Sequence, residues 1–405
     1  MTERGTDISD FKRIYSKRNE GTFPRIKAIM LEKEWDLKYG ENPNQHAAIY
    51  FDQNARTIVE LTDLQSVRSD GKGKGGLSLT NTMDITRAMD NLKWFTDPAC
   101  VIMKHNIIAG FNFKKQTNGE SQDQLYRISR DADRRSCFGG TAVFNRPLEM
   151  ATVDALFELY DTKGFRYRMD VIAAPGYEQG VLGKIEKYAD QPRIGEFSGI
   201  DKLPKFIGDE TYGLVSIKEM PTGRFGVQDI YLTSIKGVEN LILDAMLVDK
   251  KEKRHVIERD PTKQELDDML TAWWLNITGA RSNGIVFVRN GVSIAIGSGQ
   301  VERVGAVEQA IIKAMQKAMD REGIEYDPLM GIQGYEQLKD NPLTGAVCSS
   351  DAFFPFPDAV QRLGSKGVTA VIQPFGSEND AAVIDEANKY KLAMPATGER
   401  CFGHF

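Results

Sequence analysis

Cysteine and histidine are scarce in this sequence, and their scarcity excludes two classes of site. The 405 residues include four cysteines and four histidines. Four cysteines in a chain of this length do not make a disulfide framework, and no two are close enough to form a CxxC pair. No two histidines have the spacing of metal ligands, so we expect no structural zinc site.

Long apolar runs are also missing. No stretch approaches the roughly 18–20 apolar residues that a membrane helix requires. The start, MTERGTDISDFKRIYSKRNEGTF, is polar and lacks the apolar segment of a secretory signal. We therefore predict a cytoplasmic protein with no membrane partner. The formal net charge of −5 argues against a general nucleic-acid binder, because such proteins carry a basic surface. An anionic ligand would have to be met by a few placed cations.

The residues that are present have the balance of an ordinary globular protein, with 41% apolar and 27% charged. Apolar strands alternate with helical patterns, which predicts an α/β fold. We expect a polar lead-in over residues 1–30, a first lobe over 31–205 and a second lobe over 206–405. The second lobe contains an inserted helical segment, in which Thr262 and Glu265 have the pattern of a helix start. Its charged stretch 249–260, DKKEKRHVIERD, is predicted to be a solvated loop or helix edge.

Two glycine-rich stretches are weak candidates for nucleotide binding. The first, DGKGKGG at 70–76, lacks the GxxxxGKS or GxxxxGKT order of a phosphate loop, so a surface turn is the better interpretation. The second, IGSGQVER at 296–303, follows a hairpin that turns at Asn290 and Gly291. It does not follow a parallel βαβ unit, which argues against a dinucleotide fold. Its two glycines would still let a ligand approach the backbone at a helix N-terminus that carries Arg303.

One apolar run ends in two groups that can do chemistry. ACVIM, residues 99–103, is followed at once by Lys104 and His105. They can be an ordinary strand end, with the lysine solvated and the histidine hydrogen-bonded. Alternatively, His105 transfers protons near neutral pH, as imidazole groups do, and Lys104 holds a developing negative charge.

Two further stretches carry aromatic residues beside charges. SSDAFFPFPD, residues 349–358, can be core packing around a rigid turn. Alternatively, it forms an apolar slot for a flat ring, with the Asp358 carboxylate accepting paired hydrogen bonds at its edge. The end of the chain, GERCFGHF, brings Arg400, Phe402 and His404 together. Chain ends are usually loose, but this density of arginine and aromatic residues keeps a binding role open.

A series of longer motifs follows one another along the chain: LKYGENPNQHAAIY, GGLSLTN, DPACVIMKH, SCFGGTAVFNRPL, DVIAAPGYE, RSNGIVFVRNG, IGSGQVERV, SDAFFPFPD, VIQPFGS and the RCF tail. Taken in order, these segments resemble AICAR formyltransferase, the transformylase part of the bifunctional purine-biosynthesis family, where AICAR is 5-aminoimidazole-4-carboxamide ribonucleotide. The resemblance runs from about residue 35 to the end. That family also carries an N-terminal IMP cyclohydrolase domain, for which the roughly thirty preceding residues are too few, so we expect a stand-alone formyltransferase.

The resemblance implies an activity and a set of site residues. A formyl group passes from 10-formyltetrahydrofolate, the co-substrate, to the 5-amine of AICAR in the biosynthesis of IMP. His105 is implied to be the proton acceptor, and Lys104 is implied to stabilise the transition state. The residues implied to bind AICAR are Lys38, Tyr39, Gly139, Asp170, Asn283, Arg303 and Arg400. Those implied to bind folate are Val304, Phe353, Asp358, Ser377, Glu378 and Phe402.

The resemblance also implies a fold and an assembly. The fold is a duplicated cytidine-deaminase-like α/β/α unit, and the assembly is a homodimer with sites at the subunit interface. The deaminase zinc signature, HxE with PCxxC, is missing from this sequence, so no metal is expected in catalysis.

The sequence departs from the family's pattern at several positions. Lys38 stands where arginine is usual, so a bidentate phosphate contact becomes a point charge. After the reacting pair, the five residues 106–110, NIIAG, replace the common ANPCG. Pro357 and Ala359 replace an arginine and often a polar residue, and Asp249 stands where glutamine is common.

Three other functions are alternatives to formyl transfer. A homologue that binds the nucleotide without transferring formyl is supported only by the altered loop after His105. A cyclohydrolase that closes the formylated product to IMP is opposed by the expected lack of that domain. A zinc deaminase rests on fold analogy alone and lacks the metal ligands.

Overall fold

The computed structural model describes residues 4–15, 23–53, 59–64, 76–113, 120–159, 166–188, 191–325 and 334–404. Its helices are α1 (Phe11–Ile14), α2 (Leu79–Leu92), α3 (Gln122–Ala132), α4 (Arg134–Cys137), α5 (Met150–Leu156), α6 (Val181–Ile185), α7 (Lys263–Gly279), α8 (Arg303–Glu322), α9 (Asp358–Ser365) and α10 (Asp380–Lys389). Its strands are β1 (Thr6–Asp7), β2 (Leu31–Asp36), β3 (Ala48–Asp52), β4 (Glu60–Asp63), β5 (Ala99–Lys104), β6 (Ile107–Phe113), β7 (Thr141–Phe144), β8 (Val171–Ala174), β9 (Arg193–Ser198), β10 (Val215–Met220), β11 (Arg224–Asp229), β12 (Ala245–Val248), β13 (Arg254–Val256), β14 (Ile285–Arg289), β15 (Val292–Gly297), β16 (Val347–Ser350) and β17 (Ala370–Ile372). The predicted α/β class is confirmed.

Two sheets form the frame of the molecule. The larger has six strands in the order β4-β9-β8-β7-β5-β6, and the smaller has four in the order β15-β14-β16-β17. Five consecutive apolar residues of β5, Ala99–Met103, are fully buried, because α2 and α3 both pack against this strand. Two-stranded ribbons, β2-β3 and β10-β11, and a small sheet in the order β1-β12-β13 complete the described strands.

The order of elements in the larger sheet recurs in the smaller one. In the first half, α2 precedes the β5-β6 hairpin, and α3, β7, α5 and β8 follow. In the second half, α7 precedes the β14-β15 hairpin, and α8, β16, α9 and β17 follow. In the larger sheet, β5 pairs antiparallel with β7, and β7 pairs parallel with β8. In the smaller sheet, β14 pairs antiparallel with β16, and β16 pairs parallel with β17. The lobe boundary near residue 205 and the deaminase-like identity of each unit stay predictions.

The two sheets meet along β6 and β15. The Phe111 amide donates to Ser293 Oγ at 2.9 Å. Nearer the start of β6, the Ile108 side chain occupies the space that a Cβ on Gly279 would need. At the other end of the strand, Phe113 lies beside Gly291 at the second hairpin turn. The two strands therefore run in opposite directions, so the turn before β6 and the loop after β15 lie at the same end of the molecule.

The polar lead-in packs against the second half of the chain. Its strand β1 pairs parallel with β12, and Ile8 is buried. Phe11 and Tyr15 lie against Gly398 and Gly376, at the same end as the C-terminal tail. The first residues thus contribute to the core of the second half.

Two local predictions are confirmed. Thr262 and Glu265 form a capping box at the start of α7, in which each side chain accepts the other residue's amide. Asn290 and Gly291 form the turn between β14 and β15 with φ of 53° and 79°, the left-handed values that this turn demands.

The prediction of a solvated loop or helix edge for the charged stretch 249–260 is confirmed only in part. Residues 250–253 form an exposed loop, but the stretch also contains β13, which pairs with β12, and His255 within it is buried. The His255 ring lies between two carboxylates, at 2.8 Å from Asp385 Oδ1 and 3.4 Å from Asp249 Oδ2. These acidic partners offset the cost of burying a polar ring, which the local charge density does not reveal.

Two further observations concern the glycine-rich stretch and the character of the helices. Residues 70–75 of the DGKGKGG stretch lie outside the described residues. Among the helices that the structure describes, none combines the length and the apolar character that crossing a bilayer requires.

Candidate active site

The predicted reacting pair lies at the tip of the β5-β6 hairpin. Lys104 is the last residue of β5, and it pairs with Ile107 across a two-residue turn formed by His105 and Asn106. Both turn residues have left-handed φ values, 56° and 62°, as in a type I′ turn. The His105 side chain is exposed, and Lys104 Nζ donates to the Phe138 carbonyl at 2.8 Å. The buried strand thus presents a tethered ammonium group beside an accessible imidazole.

Helix α2 supports this turn from below. The Asn106 amide donates to Asp84 Oδ1 at 2.7 Å, and Thr141 Oγ1 lies 3.4 Å from the other carboxylate oxygen. Burial raises the pKa of Asp84, while the bond from Asn106 and the charge of His105 act in the opposite direction.

Gly139 and Asp170 lie at the same edge of the larger sheet as Lys104. Gly139 has a φ of 70°, and its amide donates to the Arg168 carbonyl at 2.7 Å. The Asp170 amide donates to the Gly140 carbonyl at 3.0 Å, and Asp170 Oδ1 lies 3.5 Å from Arg168 Nε. The Gly139 amide is therefore already used within the protein, so a ligand would meet the open space where this residue has no side chain.

A second group of predicted residues lies at the end of the smaller sheet. Arg303 begins α8, and its Nη1 lies 2.6 Å from Asp351 Oδ1 in a buried ion pair. Burial raises the pKa of Asp351, and the Arg303 charge opposes this rise. Within the described residues, Arg303 Nε and Asp351 Oδ2 have no hydrogen-bond partner. Asn283 has a φ of 59°, and its side-chain amide donates to the Gln300 carbonyl at 2.7 Å.

The C-terminal tail is tied to this second group. The Cys401 amide donates to the Asp351 carbonyl at 2.9 Å, and the Ser282 amide donates to the Gly403 carbonyl at 2.8 Å. Just before the first anchor, the exposed Arg400 guanidinium lies 5.3 Å from the ring centre of Tyr15 and 4.6 Å from that of Phe402. Cation–π contacts of this kind orient the guanidinium.

The predicted folate positions adjoin the lead-in. Phe353 meets Tyr15 edge-on, with ring centres 5.6 Å apart, and Lys12 Nζ lies 3.4 Å from Glu378. Ser377 precedes Glu378 in the loop after β17. The other two phenylalanines of this aromatic run differ in burial: Phe354 is buried in the core, and Phe356 is exposed.

Val304 and Asp358 stand at two helix starts. Val304 is the second residue of α8 and packs against the core of the smaller sheet. Asp358 is the first residue of α9, where its Oδ1 accepts the Ala359 amide at 2.8 Å.

Lys38 and Tyr39 stand apart from these two groups. They follow β2 and touch the start of α2, where the Lys38 amide donates to the Leu77 carbonyl and the Leu79 amide donates to the Tyr39 carbonyl. The Lys38 side chain is exposed and lies over the Tyr39 ring at 5.6 Å. Neither residue is among the described residues that line the two clefts considered next.

Two adjoining clefts lie along α2, and the first of them opens beside the hairpin tip. One, of about 550 Å³, is lined in part by Asn106, next to His105. The other, of about 770 Å³, is lined in part by Arg400, Phe402 and His404 of the tail. Both clefts are lined by Arg87, Asp90, Leu203 and Leu214, so they share a wall.

Arg87 connects the two clefts, and sequence reasoning missed it. It lies one helical turn after Asp84, so the two side chains share a face of α2. Burial lowers the pKa of Arg87, Asp90 opposes this effect, and the nearby Arg281 cation lowers the pKa further. The second cleft is lined by four cations, Arg87, Lys93, Lys218 and Arg400, against two carboxylates, Asp90 and Asp229, so its net charge favours an anion.

Tyr15 was also missed, because no pattern in the lead-in points to a binding residue. Its partners, Phe353 and Arg400, lie more than 300 residues away along the sequence, so only the tertiary structure reveals the contact. No group of three or more His, Cys, Asp or Glu side chains that could hold a metal ion occurs within the described ranges.

Comparison with known proteins bears on the whole chain. The family described as AICARFT/IMPCHase bienzyme matches residues 7–313. The bifunctional purine biosynthesis protein PurH of Caldicellulosiruptor saccharolyticus is 30% identical over 395 residues, which cover 96% of this chain and 62% of that protein. The PurH proteins of Persephonella marina and Pelodictyon phaeoclathratiforme are 31% and 32% identical, over 94% and 93% of this chain and 62% and 60% of theirs. The chain thus spans about three fifths of the length of these relatives. It belongs to the AICARFT/IMPCHase bienzyme family.

Proposed function

We propose that this protein transfers a formyl group from 10-formyltetrahydrofolate to the 5-amine of AICAR. The observation that carries the proposal is the hairpin tip, where an exposed imidazole and a tethered ammonium group stand beside a cleft that shares its Arg87 wall with a second, cation-lined cleft. An amine acceptor needs a base, a formyl carbonyl needs a cation, and a nucleotide phosphate needs positive charge. These three requirements are met by neighbouring features of one face.

The AICAR amine is a weak nucleophile, because its lone pair is drawn into the imidazole ring and the carboxamide. As the amine nitrogen bonds to the formyl carbon, His105 takes the proton that this nitrogen loses. Lys104 uses one N–H donor on the Phe138 carbonyl, so two remain for the oxyanion of the tetrahedral intermediate. The bond from the formyl carbon to the folate nitrogen then breaks, and that nitrogen needs a proton. His105 holds one, so no outside acid is required.

We assign the nucleotide to the cleft that the tail lines. Arg400 and Arg87 there would meet the phosphate, together with Lys38 from a neighbouring subunit. Asn283 and Arg303 would reach the nucleotide from the smaller sheet and Gly139 and Asp170 from the larger one, and none of these four is among the described residues that line the cleft itself. Because Arg303 Nη1 is paired with Asp351, its contact with the nucleotide would use another N–H of the guanidinium.

We place the pterin ring of the folate against Phe353 and Phe402, with Asp358, Val304, Ser377 and Glu378 around it. The exposed Phe402 ring and the partly exposed Phe353 ring offer apolar faces at this end of the smaller sheet. Tyr15, which meets Phe353 edge-on, would form one wall of this slot.

We propose that the protein works as a homodimer. The β2-β3 ribbon buries little of its surface in a single chain, and Leu31 and Tyr50 on it are 60% and 51% exposed. A lone ribbon of two strands is marginally stable in water, and exposed apolar patches mark interaction surfaces. A second copy that covered this ribbon would also bring Lys38 and Tyr39 close to another subunit.

The proposal also includes a fold assignment and a cellular compartment. The recurring order of helix, hairpin and strands supports the assignment of both halves to cytidine-deaminase-like units. The four cysteines are free and buried, which suits a reducing compartment such as the cytoplasm.

The test is to mix the purified protein with AICAR and 10-formyltetrahydrofolate and follow the absorbance of tetrahydrofolate. We expect turnover in the wild type and a loss of about 100-fold or more in His105→Ala, because a general base contributes about that factor. Asn290→Ala is the matched control, since Asn290 has the first position of the equivalent turn with nearly the same φ. It imposes the same backbone strain away from the site.

Equal losses in the two variants would mean that turn strain, rather than the imidazole, explains the result. A wild type that binds AICAR but releases no tetrahydrofolate would contradict formyl transfer from this donor. It would favour a nucleotide-binding homologue.

A further inference from the structure

Asp84 lies beneath the reacting pair and bonds the turn that carries His105, and it is not among the residues assigned to the reaction above. We propose that Asp84 is a positioning residue, which holds the His105–Asn106 turn so that the imidazole and the Lys104 ammonium face one substrate. The proposal rests on the proposed function, since it concerns the same reaction. It adds a requirement that lies outside the reacting pair itself.

The turn needs support because neither of its residues is glycine. His105 and Asn106 both adopt left-handed φ values, and a residue with a Cβ pays about 1 kcal/mol or more there. Asparagine tolerates this region better than most residues, but histidine gains less from it. A strained turn persists only when its surroundings determine it.

Asp84 supplies that support through its carboxylate. The 2.7 Å bond from the Asn106 amide fixes the second turn residue, and the Thr141 hydroxyl faces the other oxygen. Asp84 is 5% exposed, so water does not compete for these bonds. Helix α2 is rigid here because its N-terminus is closed by a capping box of Ser78 and Asn81. The turn is therefore tied to a fixed element.

The second half of the molecule contains the same device without the reacting pair. Asp268 is the sixth residue of α7, as Asp84 is of α2. Its carboxylate accepts the Asn290 and Gly291 amides at 2.8 Å each, under the tip of the β14-β15 hairpin. Asp268 is 2% exposed, so the two aspartates are closely matched in burial. Only the first half uses this device to present a histidine.

The experiment compares Asp84→Ala with Asp268→Ala in the full chain, with activity normalised to the folded fraction by circular dichroism. We expect kcat to fall about 30-fold in Asp84→Ala with KM for AICAR within about threefold, because a misplaced reacting group costs rate more than binding. Asp268→Ala should unfold at a similarly lowered temperature and keep kcat within about twofold. Asp84→Asn keeps an acceptor oxygen, so it should retain kcat within about fivefold.

Three results would overturn the proposal. The first is an Asp84→Ala enzyme with normal kcat, and the second is an Asp268→Ala enzyme that loses as much as Asp84→Ala. The third is an Asp84→Asn enzyme as slow as Asp84→Ala, which would mean that the charge acts rather than the hydrogen bond. Asp84→Asn also keeps the test decisive if the alanine variant does not fold.

A second readout needs no activity. Amide hydrogen exchange of the β5-β6 hairpin, measured by mass spectrometry, should speed up about tenfold or more in Asp84→Ala and stay unchanged in Asp268→Ala. Unchanged exchange in Asp84→Ala would show that the carboxylate does not hold the turn. A wild type that transfers no formyl group would instead overturn the proposed function, and the exchange result would still decide whether Asp84 holds the turn.

Discussion

At the scale of single residues, Asp380 is a carboxyl group in surroundings that disfavour its charge. It is 4% exposed and begins α10 beside the predicted folate positions. Burial raises its pKa to about 6, although the Gly376 and Ser377 amides lower it, and Glu378 adds to the rise. Because the folded pKa lies above the unfolded one, the folded state gains stability from the bound proton. That gain is lost as the pH rises from about 4 through about 6.

We therefore predict that Asp380→Asn is more stable than the wild type at pH 7.5, by about 2 kcal/mol in the free energy of unfolding, and equal to it near pH 4. Urea unfolding at the two pH values measures this difference. Asp385→Asn on the same helix is the control, since bonds from His255 and Lys253 outweigh burial and lower the pKa of Asp385. It should lose stability at pH 7.5. A difference in unfolding free energy between Asp380→Asn and the wild type that favoured the variant less at pH 7.5 than at pH 4 would contradict this prediction.

At the scale of elements, α7 depends on how its first turn is closed. Glu265 closes the capping box and lies 2.6 Å from Arg259. Burial raises the pKa of Glu265, but the hydrogen bond from Arg259 and its other partners outweigh this and lower it to about 2. A lowered pKa means that stability is present above pH 4.5 and is lost as the pH falls through about 2.

Replacement of Glu265 by glutamine should therefore cost about 1 to 2 kcal/mol of unfolding free energy at pH 7, after allowing for solvent screening. The cost should shrink as the pH falls from 4 towards 2, which urea unfolding at both ends of this range can follow. Glu258→Gln, at an exposed glutamate just before the helix, should change stability by less than about 0.5 kcal/mol. A cost independent of pH would mean that the ion pair is not its source.

At the scale of the whole molecule, the proposed dimer predicts that two inactive variants can restore activity when their subunits are mixed. If Lys38 contributes to the active site of the other subunit, each active site takes His105 from one chain and Lys38 from the other. His105→Ala and Lys38→Ala then remove residues that different chains supply to the same site. A mixed dimer then holds one intact site of its two, and random pairing makes half of the dimers mixed. Subunit exchange between the two variants should therefore restore about a quarter of the wild-type formyl transfer.

The control for this exchange is the pair His105→Ala and Lys104→Ala. Both residues lie on one hairpin, so every site in a mixed dimer keeps one defect and no activity returns. If the Lys38→Ala mixture also stays inactive while light scattering shows dimers, Lys38 acts within its own chain. A protein that stays monomeric at micromolar concentration would contradict the dimer itself.

The local features of the site were accessible from sequence because they depend on near neighbours. The strand that ends at Lys104, the Asn290–Gly291 turn and the capping box at Thr262 each depend on a few adjacent residues, and the structure bears out all three. The prediction for residues 249–260 missed a strand with a buried histidine for the opposite reason. His255 is buried because Asp385, 130 residues later, pairs with it, and no local charge count contains that partner.

The sequence by itself determined the α/β class, the family and the strand that ends in a lysine and a histidine, because these are encoded in contiguous motifs and short-range periodicity. Only the tertiary structure decided which residues share a face. Contacts such as Phe111 with Ser293, or Arg400 with Tyr15, depend on how buried surfaces fit together after folding. Tyr15, Arg87 and Asp84 are recognised as part of the site only from the structure. Each acts through partners that are not its neighbours in the sequence.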